Sequence, residues 1–127
     1  MKLSLYLGIH RSGWLEEAST VPVCLAFHHL YARRRGGDAM PHAAGDWVLD
    51  SGGFTELQRH GRWRLDPDTY GGAVVRLIED CGRPPRWVAI QDWMCEPWII
   101  SGGVHAGQRY AGTGLSVELH QELTVMS

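Results

Sequence analysis

Four short runs of the chain are almost unbroken in apolar residues: Leu3 to Ile9, Val21 to Phe27, Trp47 to Leu49, and Trp87 to Ile90. A strand with one wet face alternates apolar and polar positions, so continuous runs predict strands covered on both faces, as in a parallel sheet. Between the third and fourth runs the spacing becomes helical. Tyr70, Val74, Leu77, Ile78 and Cys81 fall on one face, while Arg76, Glu79 and Asp80 fall on the other. Asp66 suits the N-cap, Pro67 the first helical position and Gly82 the C-cap. Strand, helix and strand in this order predict a βαβ unit with a right-handed crossover. A last helix is expected from the spacing of Leu115, Leu119, Leu123 and Met126, with Ser116 as its N-cap.

The pattern is that of an α/β protein. About four strands followed by an opening helix resemble the N-terminal half of a TIM (β/α)₈ barrel, which typically needs about 250 residues. On this reading residues 1–127 form one partial barrel domain that breaks off before the later strands. Half a barrel leaves two sheet edges to be paired or covered.

Composition narrows the function. Hydrophobic residues make up 44% and charged residues 20% of the 127 positions, which fits a folded domain and argues against wholesale disorder. Twelve Lys+Arg against fourteen Asp+Glu exclude a histone-like nucleic-acid binder, though not a local basic patch. Cys24, Cys81 and Cys95 are scattered and form no C-x-x-C pair, as expected for free thiols in a reducing, cytoplasmic setting. His10 and Arg11 interrupt the apolar start, which reads as a strand and not as a signal peptide. No run reaches the roughly 18 apolar residues of a membrane span.

Glycine is abundant, at 16, and much of it is paired. Gly71-Gly72 falls inside the predicted helix and should weaken it, whereas Gly36-Gly37, Gly52-Gly53 and Gly102-Gly103 read as loops or close backbone approaches.

Two of the runs lead into aspartate: Leu49-Asp50-Ser51-Gly52-Gly53-Phe54, and Ile90-Gln91-Asp92-Trp93. Ligands in parallel α/β folds bind outside the carboxyl ends of the strands, so both carboxylates are candidates for one mouth. Gly52-Gly53 would let a flat ligand lie against bare backbone, and Phe54, Trp93 or Trp98 could stack on a base. An aspartate or a Gly-Gly pair after a strand also serves simply to turn the chain. His10, His28 and His29 follow strands and could reach the same mouth, but no histidine spacing matches a metal motif. Arg33-Arg34-Arg35 reads as a basic run in a glycine-rich loop, either solvated or in contact with phosphate.

LDSGGF (Leu49 to Phe54) resembles the D-S-G-G-F/Y-Q motif of tRNA-guanine transglycosylases. The larger set of LDSGGFTEL, GRW (Gly61 to Trp63), QDWMCEP (Gln91 to Pro97) and GLSVELHQ (Gly114 to Gln121) is more similar to their DNA-modifying relatives, the deazaguanine DNA transglycosylases. The resemblance implies a TIM barrel and a base exchange in which guanine in DNA is replaced by a free 7-deazaguanine base. It implies that Asp50 is the catalytic aspartate beside the reacting base and that Ser51, Gly52 and Gly53 line the pocket. Phe54 would then stack on the base, and Gln91 and Asp92 would bind the guanine edge. Thr55 stands where the tRNA enzymes carry Gln, which favours DNA. The family's nucleophilic aspartate and zinc ligands belong to later strands, so zinc is expected in the full-length family with ligands absent from residues 1–127. The competing expectations are a non-catalytic remnant, a half-barrel that pairs with a separate C-terminal half, and a tRNA-modifying relative.

Overall fold

The computed structural model describes residues 5–127. Leu3 and Ser4 of the first predicted strand lie outside the described residues. The chain falls into two compact units, Met1–Ser51 with Gly71–Ala89, and Gly52–Tyr70 with Ile90–Ser127.

The first unit is built on a three-stranded parallel sheet of β1 (Leu7–Ile9), β2 (Val23–Ala26) and β3 (Trp47–Asp50), in the order β1-β2-β3. Its register aligns Ile9 with Leu25, Leu25 with Leu49, and Ala26 with Asp50. Trp47, Val48 and Leu49 have no exposed surface, which is why β3 reads as a continuous apolar run. The fourth run is shorter than the sequence implies. It contributes a single parallel bridge from Val88 to Leu49, flanked by Leu49 N–H to Trp87 O at 3.1 Å and Ala89 N–H to Leu49 O at 2.9 Å. The described sheet is open, not a closed barrel.

Between β1 and β2 lies the short α1 (Trp14–Glu17), and β2 runs directly into α2 (Phe27–Arg35). The three arginines therefore form the last turn of a helix, not a glycine-rich loop, where their charge opposes the negative end of the helix dipole. Each has a partner within the protein: Arg33 donates to Ala39 O and Ser12 Oγ, Arg34 pairs with Asp80, and Arg35 lies over the Tyr31 ring.

After α3 (Gly53–His60) comes α4 (Pro67–Glu79), the helix expected from the sequence. Asp66 Oδ1 accepts from the Thr69 N–H at 2.8 Å, and Gly82 takes the left-handed conformation just beyond the end. Tyr70, Val74, Leu77 and Cys81 are buried as their spacing requires. A Cβ on Gly71 would meet nothing within 4 Å. Gly71→Ala should therefore raise stability by about 1 kcal/mol through helix propensity alone, a gain read from the denaturant midpoint.

The second unit contains α3, a short α5 (Pro97–Ser101), the hairpin of β4 (Gly103–His105) and β5 (Gln108–Tyr110), and α6 (Val117–Met126). Leu57, Ile99 and Tyr110 form its buried cluster, with Trp63, Trp93, Met94 and Trp98 packed against it. Ser116 caps α6, its Oγ accepting from the Leu119 N–H at 3.1 Å. The buried side of α6 differs from the leucine face expected. Leu119 is 36% and Met126 76% exposed, and the fully buried residue is His120.

Candidate functional site

In the first unit Asp50 closes β3 at the carboxyl end of the sheet, in register with Ala26, with its side chain exposed. Cys24 lies on the neighbouring strand. Burial first, and then the negative charge of Asp50, push its thiol above the ordinary cysteine range, against a main-chain hydrogen bond at Asp50 that lowers it. Ser51 follows and is buried.

In the second unit the glycine pair opens α3. Gly52 occupies the left-handed region at φ 76°, where a side chain would be strained. Gly53 is required for another reason. A Cβ there would sit 2.8 Å from Trp63 Cζ2, 3.0 Å from the Asp92 carbonyl oxygen and 3.3 Å from Met94 Cε. Gly53 and the QDWMCEP main chain thus meet at a contact only glycine permits. Trp63, from the GRW motif, donates its indole N–H to the same Asp92 carbonyl at 3.1 Å. Phe54 is 42% exposed and meets the buried Tyr110 edge to face at 6.1 Å, so much of its ring remains open.

Asp92 is exposed, and Thr124 Oγ1 on α6 donates to its carboxylate at 3.5 Å while accepting the Trp93 N–H at 2.8 Å. Gln91 points elsewhere: it is 1% exposed and its amide donates to Leu65 O at 2.8 Å. Trp98 has one face covered by His105, stacked at 3.9 Å. An open hollow of about 510 Å³ runs beside Asp92, Trp93 and Cys95 on one side and Gln121, Thr124 and Val125 on the other.

His120 is the residue that apolar periodicity misses. The Met94 carbonyl can only accept, so Nδ1 must carry the proton for their 2.7 Å bond, and Nε2 accepts from Thr113 Oγ1, also at 2.7 Å. Its ring also meets Trp93 edge-on at 5.5 Å. His120 therefore fixes both Trp93 and Met94 of the QDWMCEP segment. Its sequence signal is a histidine one turn after the Ser116 cap and one turn before Thr124. His120→Leu keeps the volume but takes this partner from the Met94 carbonyl and the Thr113 hydroxyl, and should lower stability by about 2 kcal/mol in chemical denaturation.

Glu56 on α3 accepts from the Arg64 main chain at 3.1 Å and from its guanidinium at 2.9 and 3.2 Å. Burial alone would raise the Glu56 pKa, but the Arg64 hydrogen bonds and charge outweigh it and the net direction is down. A carboxyl depressed on folding adds stability above its unfolded value, near 4.5, and loses it as pH falls through the folded value. Glu56→Gln should therefore cost about 1 kcal/mol at neutral pH and nothing in strong acid, as read from melting curves across pH.

Among the described residues no three His, Cys, Asp or Glu side chains converge to hold a metal ion. Cys81 is buried, donates to Leu77 O, and its thiol is pushed up to about 11 by burial first and Asp80 second, against the opposing charges of Arg34 and Arg33. Among the described residues no helix is long and apolar enough to cross a membrane.

A family model described as DeoxyPurine in DNA protein A, DpdA, matches residues 1–127. The chain belongs to the DpdA family. DpdA membership places it in the deazapurine modification of DNA, in a family of transferase type, with DNA as the substrate class. No curated protein and no solved structure matches it.

Proposed function

We propose that this DpdA-family chain takes part in a base exchange that removes guanine from DNA and installs a free 7-deazaguanine base, such as the 7-cyano form. The observation that carries the reading is the seating of Gly53, from the glycine end of one motif, against the Asp92 carbonyl of the QDWMCEP segment. The parallel order β1-β2-β3, with Leu49 paired to Leu25 and bridged to Val88, supports a further proposal that these are the first staves of a (β/α)₈ barrel.

The target base must leave the stack before it can be reached. A carboxylate from the later staves, in the same chain or in a separate C-terminal half, bonds to the anomeric carbon as the bond to the guanine nitrogen breaks. Guanine departs with the electron pair and takes up a proton; the incoming base then displaces the carboxylate and gives up a proton. Asp50 carries that proton at the base. Asp92 accepts the paired N–H donors of the guanine edge, an arrangement that favours a charged acceptor. Phe54 stacks on the ring, and Ser51 with the Gly52-Gly53 backbone lines the pocket. Gln91 acts by holding the Leu65 carbonyl, which positions Asp92 beside it.

Nucleoside mass spectrometry of digested DNA tests the reading. DNA from cells that express the full-length protein, supplied with the free base, should contain a deoxy-7-deazaguanosine that is absent without the protein. A deazaguanine found only in tRNA would overturn it.

A further inference from the structure

The first unit carries a concave site at the carboxyl end of its sheet, an open hollow of about 630 Å³. His10 enters it from the end of β1, and His28 and His29 from the start of α2, directly after β2. The rings of His28 and His29 lie 4.2 Å apart, and His10 packs edge-on against Trp14 at 5.0 Å. Burial first, then His28 and His10, lower the pKa of His29. The Arg11 guanidinium sits 5.8 Å from the centre of the Trp14 ring, so the indole holds the cation at the rim.

Among the described residues no three His, Cys, Asp or Glu side chains converge here to hold a metal ion. Its chemistry is that of an anion seat, with imidazole and guanidinium donors around an open hollow. Two carboxylates also line it. Both are exposed and oppose an anion, Glu16 less so because its carboxylate accepts the His42 main-chain N–H at 3.2 Å.

Position identifies the anion. Ile9, Leu25 and Leu49 are aligned across the sheet, and Ala26 is aligned with Asp50, so His10 and Asp50 leave the sheet at one level two strands apart. That is roughly 10 Å, a few nucleotide steps along a DNA strand at roughly 3.4 Å each. We propose that the hollow formed by His10, Arg11, His28 and His29 binds a backbone phosphate of the DNA strand that flanks the nucleotide presented to Asp50. The proposal rests on DNA being the substrate, but not on the base exchange itself.

Binding of the full-length protein to fluorescent oligothymidylate tests it, because that strand has no guanine to exchange. Paired Arg11→Gln and His28→Gln substitutions should weaken binding at least about fivefold and flatten the dependence of log affinity on log salt by about one unit. Glu17→Gln, which removes an opposing charge, should tighten binding about twofold by the same electrostatics. Inorganic phosphate, at matched ionic strength, should compete with the strand in the wild-type protein and less in the double variant. Unchanged affinity and salt slope in both variants would overturn the proposal, as would competition by phosphate that is equal in wild type and double variant. Absence of deazaguanine from DNA with these binding effects intact would instead overturn the base exchange and leave the phosphate seat standing.

Discussion

Replacing Asp50 with Asn is expected to reduce base exchange in the full-length protein by about 10²- to 10⁴-fold while leaving the fold intact. The carboxylate is exposed at the end of β3, so an isosteric amide disturbs no buried packing. An amide cannot accept and return a proton at neutral pH, and general acid–base catalysis contributes about that factor. Single-turnover incorporation of labelled 7-deazaguanine into DNA, alongside a melting curve, reads both halves of the prediction. Wild-type rates in the variant would remove Asp50 from the chemistry.

Gly53→Val should have the largest effect on stability, a loss of roughly 3–5 kcal/mol. The first added carbon already lies 2.8 Å from Trp63 Cζ2 and 3.0 Å from the Asp92 oxygen. The oxygen is main chain and also accepts the Trp63 indole proton, so neither neighbour can retreat without breaking the bond between them. Urea titration monitored by tryptophan fluorescence should show a much earlier transition, or an unfolded protein at the outset. The contrast with Gly71→Ala is informative, because one glycine is enforced by close approach and the other merely weakens a helix.

The parts of the fold that could be read in the sequence are those whose partners are implied by their own composition. Trp47, Val48 and Leu49 announce a strand buried on both faces, and Asp66, Pro67 and Gly82 mark the ends of α4. The α2 segment FHHLYARRR hides its helix because only Phe27 and Leu30 are buried, too few to set up a period. Gly52-Gly53 looks like a turn, yet it starts α3, since the left-handed Gly52 caps the helix without needing a side chain. The β4–β5 hairpin keeps Val104 69% exposed and so offers no apolar alternation to detect. On α6 the Ser116 cap was legible but the inward face was not. Its buried position is held by a histidine whose two nitrogens are both satisfied, a solution that hydrophobicity does not encode.

The candidate site divides along the same line. Asp50, Phe54 and Asp92 are candidates that the sequence offers by residue type, and the structure leaves all three exposed. The roles of Trp63, Thr124 and His120 were not legible, because each acts on the QDWMCEP main chain or its Asp92 side chain from a distant part of the sequence.

The most direct measurement follows both bases at once. DNA carrying labelled guanine is incubated with the full-length protein and a free 7-deazaguanine, and released guanine and incorporated deazaguanine are counted together. The account predicts one guanine released for each deazaguanine gained, with tRNA inert. Incorporation without release of guanine, or exchange in tRNA and not in DNA, would contradict it.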